Sequence, residues 1–321
     1  MTSFTLLFSF SILILLKMDF IIAGWLITLR FAQEGGASDI LRLLPSFAPF
    51  SASNADAPVH YTPLLTMTVD CTLCPHSPAA TQHIRVFDTG NAHIAVDKLP
   101  DGGYQFVINN LQNEKCALLV TNADFTQSRC NIRGTVSMQR FGLNNAVMLA
   151  YAFASAPHQT LLVHASLVRA SGTAYAFIAR SGTGKSTQTA NWLKTIPETD
   201  LMNDDNPVVR IVDGQAIAYG SPWSGKTPCY RQTSAPLGAI TQISRAAENS
   251  VERLTPVQAF AYILPACSTM KWDARVHRCV CDTVAMMIAS VPAYVLHCTK
   301  HPQSAVVCHE AIGRKAKLRQ H

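Results

Sequence analysis

From Ile21 to about Cys130 the chain alternates short apolar runs with turn residues. The segments "AGWLITLRF", "PLLTMTVDC", "HIRVFDTG", "AHIAVDKL", "GYQFVINNL" and "CALLVTN" are rich in Val, Ile, Thr and aromatics, and turn residues bound them. That pattern predicts β-strands. "MDFIIAGWLITLRF" (18–31) reads as the first strand, and "LPDGGYQF" (99–106) as a hairpin whose glycines supply positive φ angles. Residues 35–58 are the least regular stretch and read as a short helix followed by a loop.

The pattern changes after Arg140. "FGLNNAVMLAYAFASA" (141–156) is apolar on nearly every face, as a buried helix would be. "TLLVHASLV" (160–168) and "AYAFIA" (174–179) carry almost no charge, which predicts two strands inside a covered sheet. A glycine-rich turn follows, then a helix over "STQTANWLKT" (186–195). Asp213–Gly214 joins two strands within "PVVRIVDGQAIAYG" (207–220), the strongest short hairpin signal. Segments 254–266, 282–291 and 304–317 read as helices, and "AYVLHC" (293–298) as a late strand. Strands alternating with helices predict an α/β layer, and the Asp213–Gly214 hairpin makes its sheet mixed.

A length of 321 residues suits two modest domains, read as a β-rich region over 18–135 and an α/β domain over 136–321. With 48% hydrophobic and 14% charged residues the chain is not a disordered one. The net charge of +6 is spread out apart from the basic tail at 314–319, which gives no footing for a nucleic-acid partner. Ten scattered cysteines favour free thiols and a reducing, cytoplasmic setting. The apolar run "FTLLFSFSILILL" (4–16) is short for a bilayer span, which takes roughly 20 residues, and Lys17 and Asp19 separate it from the next apolar run. No positive n-region precedes it. It reads either as an extension (1–17) upstream of a start at Met18, or as an apolar anchor or signal.

The chemistry concentrates in "FIARSGTGKST" (177–187). A strand running into glycines and then a helix places backbone N–H groups and a positive helix end around an anion. Ser181, Gly182, Thr183, Gly184, Lys185, Ser186 and Thr187 form this loop, with Lys185 reaching the β and γ phosphates and the Ser186 hydroxyl meeting a magnesium ion. Ala179 stands where the usual G-x-x-x-x-G-K-[ST] pattern opens with glycine, and it serves only if its φ is negative. Asp204 and Asp205, 19 and 20 residues beyond Lys185, are candidates for metal and proton chemistry. His164 lies on the strand before the loop's own strand, where it can end up beside the phosphates. Outside this region, Cys71 and Cys74 form a C-x-x-C near His76 and His83, without the second pair that a structural zinc site needs, and Cys279 and Cys281 form a C-x-C beside His277.

"VHASLVRASGTAYAFIARSGTGKST" (163–187) followed by the Asp204–Asp205 pair resembles the catalytic domain of the HPr kinase/phosphorylase family, whose fold is related to that of phosphoenolpyruvate carboxykinase. Residues 160–210 match closely and the rest of the C-terminal half loosely. The resemblance implies an α/β fold with a P-loop-containing HPr kinase/PEP carboxykinase-like mixed sheet and flanking helices. It implies ATP and Mg2+ as cofactors and transfer of a phosphoryl group to a hydroxyl on a protein, peptide or small molecule. His164 and Asp204 would assist proton removal, Lys185 would neutralise the transferring phosphoryl, and Ser186 and Asp205 would hold the metal, with the division of roles between Asp204 and Asp205 left open. In place of the family's later signature stands "GSPWSGKTPCYRQ" (220–232), as in diverged bacterial HPr-kinase-like proteins. Trp223, Lys226 and Arg231 on this turn read as a lid over nucleotide or acceptor. A carboxykinase-like lyase and an ATP-binding subunit without turnover stay open beside the kinase, as does assembly into a homo-oligomer.

Overall fold

The computed structural model describes residues 16–32, 41–54, 62–225 and 227–313. The chain folds as a mixed α/β protein around two mixed sheets. The first holds β1 (Leu16–Ile22), β2 (Trp25–Phe31), β3 (Leu65–Val69), β4 (Gln82–Asp88), β5 (His93–Lys98), β6 (Tyr104–Asn109), β7 (Lys115–Thr121) and β8 (Gln127–Ile132). Their order is β1-β2-β3-β8-β7-β6-β5-β4, with β3 parallel to both of its neighbours and every other pair antiparallel.

The segment read as one first strand over 18–31 is instead the β1–β2 hairpin. Ala23 (φ 48°) and Gly24 (φ 78°) turn the chain, and Ile22 pairs with Trp25. Two consecutive positive φ angles match the right-handed twist of the flanking strands. The same device closes the expected hairpin at Asp213–Gly214, with φ 50° and 78°. The irregular stretch forms 3-10 turns at Pro45–Phe50 and Ala52–Asn54, and its residues 35–40 and 55–58 lie outside the described residues.

The second sheet holds β9 (Thr160–Leu162), β10 (Ala165–Ala170), β11 (Thr173–Ile178), β12 (Thr199–Asp205), β13 (Val208–Val212), β14 (Gln215–Tyr219), β15 (Ser234–Arg245), β16 (Ser250–Arg253) and β17 (Ala293–Cys298). The long β15 is its hub. It pairs antiparallel with β14 at its start, then parallel with β11 and with β17. The three parallel strands β11, β15 and β17 therefore end on one side of the sheet, where ligands sit in open α/β sheets.

Five described α-helices complete the fold: α1 (Val136–Ser155), α2 (Lys185–Thr195), α3 (Pro256–Ile263), α4 (Ala274–Ser290) and α5 (Gln303–Gly313). α1 buries Leu143, Ala146, Val147, Ala150 and Tyr151, packing on β7 and β8 of the first sheet and on β9 of the second. α4 begins at Ala274, well ahead of the expected 282, because Asp273 caps it by accepting from the Arg275 and Val276 N–H groups. Cys279 and Cys281 thus lie on a helix. α2 and α5 cover the other face of the second sheet, where Trp192 packs against Tyr175, Phe177 and His309.

One continuous apolar core joins the first sheet, α1, α4 and the inner face of the second sheet. Trp223 is the bridge. It is buried, meets Phe47 edge-on at 5.9 Å and lies 5.2 Å from Tyr151. Trp223→Ala removes the largest side chain from that junction. It is expected to destabilise the protein by about 3–5 kcal/mol, read as a fall in the denaturant midpoint.

Candidate functional site

The site begins where β11 ends. Ile178 leads into a loop that bends at Gly182 (φ 76°) and Gly184 (φ 131°), and Gly184 is the N-cap of α2. A Cβ added at either glycine would meet nothing within 4 Å, so open space lies over the loop. Ala179 has no positive φ, so the condition under which alanine can open the motif is met.

α1, α3 and α4 each begin with a side chain bonded to their first-turn N–H groups, from Thr135, Thr255 and Asp273. α2 has no side-chain cap and no acidic residue in its first turn. Its leading N–H groups are left without intrahelical partners.

Arg245, at the end of β15, holds the loop from behind. Its guanidinium donates to the Thr183 carbonyl at 2.9 Å and to the Gly182 carbonyl. A peptide's N–H points opposite to the preceding carbonyl. The grip on Thr183 therefore turns the Gly184 N–H away from Arg245.

Lys185 and Ser186 open α2 and point to a cluster built by β10 and β12. Lys185 Nζ lies 2.9 Å from His164 Nε2 and donates to the Ala179 carbonyl at 3.1 Å. His164 Nδ1 is 3.1 Å from Asp205 Oδ1. An ammonium can only donate, so Nε2 is the accepting nitrogen and Nδ1–H donates to Asp205. Ser186 Oγ donates to both Asp204 oxygens, at 3.2 and 3.3 Å, and Ser166 Oγ donates to Asp204 at 2.5 Å.

The fold explains this convergence. Ser166 and Asp204 are cross-strand partners on β10 and β12, as are Ala165 and Asp205. His164 sits in the break between β9 and β10, fixed by its N–H on the Ala266 carbonyl at 2.7 Å. Asp205 has φ 151°, a conformation that costs a non-glycine residue about 1–3 kcal/mol and gathers at functional sites. The neighbouring turn supports it, with Ser224 Oγ and the Gly225 N–H both bonded to the Asp204 carbonyl.

The expected site residues His164, Lys185, Ser186, Asp204 and Asp205 thus meet at one point. The two carboxylates take different partners. Ser186 faces Asp204, and Asp205 faces His164, because neighbouring residues on a strand point to opposite faces.

Two of the three residues read as a lid are tied into the fold. Trp223 is locked in the core, and Arg231 donates to Asp200 at 2.6 Å and to the Leu201 carbonyl at 2.5 Å. Arg169 grips the same carboxylate with two bonds, at 3.0 and 2.8 Å. Burial would raise the Asp200 pKa, but the two guanidiniums outweigh it and hold the group below the usual carboxylate range. Lys226 lies outside the described residues.

Burial also acts on Lys185. It lowers the ammonium's pKa below the ordinary 10.5, against the pull of Asp205 and Asp204. A lowered pKa means that the folded state disfavours the charged form, so the penalty is full below the folded pKa and is relieved as pH rises toward 10.5. Lys185→Met keeps the chain length and removes the charge, and is expected to raise the melting temperature of the ligand-free protein at neutral pH.

Two site residues escaped the sequence reading. Ser166 stands two positions after His164, at strand spacing, so period-2 alternation was the signal that could have found it. Arg245 carries no local signal, because only the parallel pairing of β11 with β15 brings it to the loop. The C-x-x-C thiols, Cys71 and Cys74, are free and exposed. Among the described residues no three His, Cys, Asp or Glu side chains group as metal ligands.

No protein-family model matches the chain, and no curated protein does. Among solved structures it is similar to the HPr(Ser) kinase/phosphatase from Coxiella burnetii. That match has 10% identity and a TM-score of 0.30, and it covers 49% of this chain and 97% of the other. Among the described residues no helix is long and apolar enough to cross a membrane.

Proposed function

We propose that this protein is an ATP- and magnesium-dependent phosphotransferase acting on a hydroxyl group. The observation that carries the reading is the convergence of an open glycine loop, an uncapped helix start, one lysine, a serine–carboxylate pair and a histidine–carboxylate pair at the ends of parallel strands. Phosphoryl transfer asks little covalent chemistry of a protein. It asks for position, neutralised charge and a base.

The residues fit both cofactors. The loop's free space and unpaired helix N–H groups suit a polyphosphate. Ser186 and Asp204 offer hard oxygen donors side by side, the set that suits magnesium. Bound there, the metal would neutralise charge on the β and γ phosphates. Ser166 would fix the Asp204 carboxylate from the other side.

Lys185 Nζ donates to His164 Nε2. A phosphate oxygen, charged and close, would draw the ammonium away and free His164 Nε2. Asp205 would then hold the ring with Nδ1–H toward itself and Nε2 facing the acceptor. In the transfer, the acceptor oxygen forms a bond to the γ phosphorus, the bond from that phosphorus to ADP breaks, and the hydroxyl proton passes to the His164–Asp205 pair.

The test is transfer from γ-labelled ATP with magnesium to a lysate as the acceptor pool. The wild type is expected to label one component and Asp204→Ala none. Label release only in the presence of oxaloacetate would favour a carboxykinase-like lyase. ATP binding without any transfer would leave a nucleotide-binding subunit.

A further inference from the structure

Asp205 meets His164 through one carboxylate oxygen, Oδ1. Its other oxygen, Oδ2, accepts from the Asn206 side chain, whose Nδ2 lies 2.8 Å away. A carboxylate only accepts, so the NH₂ end of the amide is the end that faces it. We infer that Asn206 is a positioning residue, which sets the angle of the Asp205 carboxylate and, through it, the ring of His164. The inference rests on the phosphotransferase reading of the site.

Three observations carry it. The first is where the amide spends its N–H. Asn before Pro usually marks a turn, with the side chain bonded to nearby backbone. Here Asn206 donates to the neighbouring carboxylate. One bond on one oxygen leaves a carboxylate free to swing, whereas a bond on each oxygen fixes its plane.

The second is how firmly Asn206 is itself held. Its backbone N–H donates to Asn203 Oδ1 at 3.0 Å, and its carbonyl accepts from Ser221 Oγ at 2.6 Å. Asn203 is fully buried, and its Nδ2 donates to Ser221 Oγ at 3.2 Å and to the Trp223 carbonyl at 3.1 Å. Pro207 follows, with its φ fixed by the ring. The end of β12 is thus tied to the turn at 220–225, and a group positions another well only when its own geometry is locked.

The third is Gly225, on the same turn. It has no positive φ, so close approach is the reason for a glycine there. A Cβ at this position would lie 3.1 Å from Asp205 Cβ and 3.3 Å from Asp205 Cγ. The turn therefore backs the carboxylate with bare backbone, while Asn206 and His164 take its two oxygens.

The experiment measures single-turnover transfer from γ-labelled ATP to the lysate component, and magnesium-ATP affinity by calorimetry. The proteins are the wild type, Asn206→Ala, Gly225→Ala, Asp205→Ala, and each of the first two variants combined with the third. Asn206→Ala takes the donor away, and Gly225→Ala presses on the carboxylate with the donor intact. Each is expected to slow transfer by about ten- to a hundredfold and to keep ATP affinity within about twofold. In the Asp205→Ala background each effect is expected to shrink to within about twofold, because both act through that carboxylate.

Transfer by Asn206→Ala at the wild-type rate would overturn the inference and leave the phosphotransferase reading standing. So would a loss that persists in full on top of Asp205→Ala, which marks a merely structural role, or a loss of ATP affinity as large as the loss of rate. If Asn206→Ala does not fold, Gly225→Ala decides by the same three outcomes. No transfer by the wild type would overturn the phosphotransferase reading and this inference with it.

Discussion

Lys185→Met is expected to lower γ-phosphoryl transfer by about a thousandfold. The lysine's ammonium bonds to His164 and to the Ala179 carbonyl, at the meeting point of the loop and the histidine–carboxylate pair. Removing a pre-placed donor from developing phosphoryl charge costs about 10²–10³ in rate, and a full charge in a half-buried site sits at the upper end of that range. The same burial that lowers the lysine's pKa makes its charge a burden to the empty fold. The variant should therefore be inactive and yet melt no lower than the wild type. That combination separates a chemical role from a structural one: a variant that lost activity because it unfolded would melt lower. Steady-state rates and a thermal melt on the same preparation check both halves.

The second large effect lies at the base. His164→Ala and Asp205→Asn are each expected to slow transfer by about 10²–10⁴-fold while ATP affinity changes little. Neither side chain belongs to the loop, and they touch the site only through the Lys185–His164–Asp205 chain. The two roles differ in kind. His164 presents the accepting nitrogen, and Asp205 fixes which nitrogen carries the proton. Combining both changes should cost little more than either alone, because residues that act as a unit are non-additive. A double variant slowed by the product of the two single effects would show that they act independently. Binding titrations alongside single-turnover rates separate affinity from chemistry.

Much of the site was legible because its chemistry is local. The strand, the loop and the helix are consecutive in the chain, from Thr173 to Thr195, and glycine, lysine and serine at that spacing have few other uses. The Asp213–Gly214 hairpin was legible for the same reason. What sequence left unread depends on pairing across the sheet. Asp204 and Asp205 are adjacent in the chain, so spacing alone does not say which faces Ser186. The answer is set by the register of β12 against β10, where Ser166 lies opposite Asp204.

Trp223 and Arg231 looked like parts of a mobile turn. Their partners, Phe47 and Tyr151 for one and Asp200 for the other, come from distant segments. The Ala23–Gly24 hairpin was hidden because apolar residues continue on both sides of the turn. The positive φ angles at Ala23, unusual for alanine, and at Gly24 mark it.

The central claim is that the loop over residues 179–186 grips a polyphosphate with its amides and Lys185. The most direct measurement is calorimetric titration of magnesium-ATP into the wild type and Lys185→Met. The account predicts saturable one-to-one binding by the wild type and a loss of at least about tenfold in affinity for the variant. Absence of heat with the wild type, or equal affinity in both proteins, would contradict it.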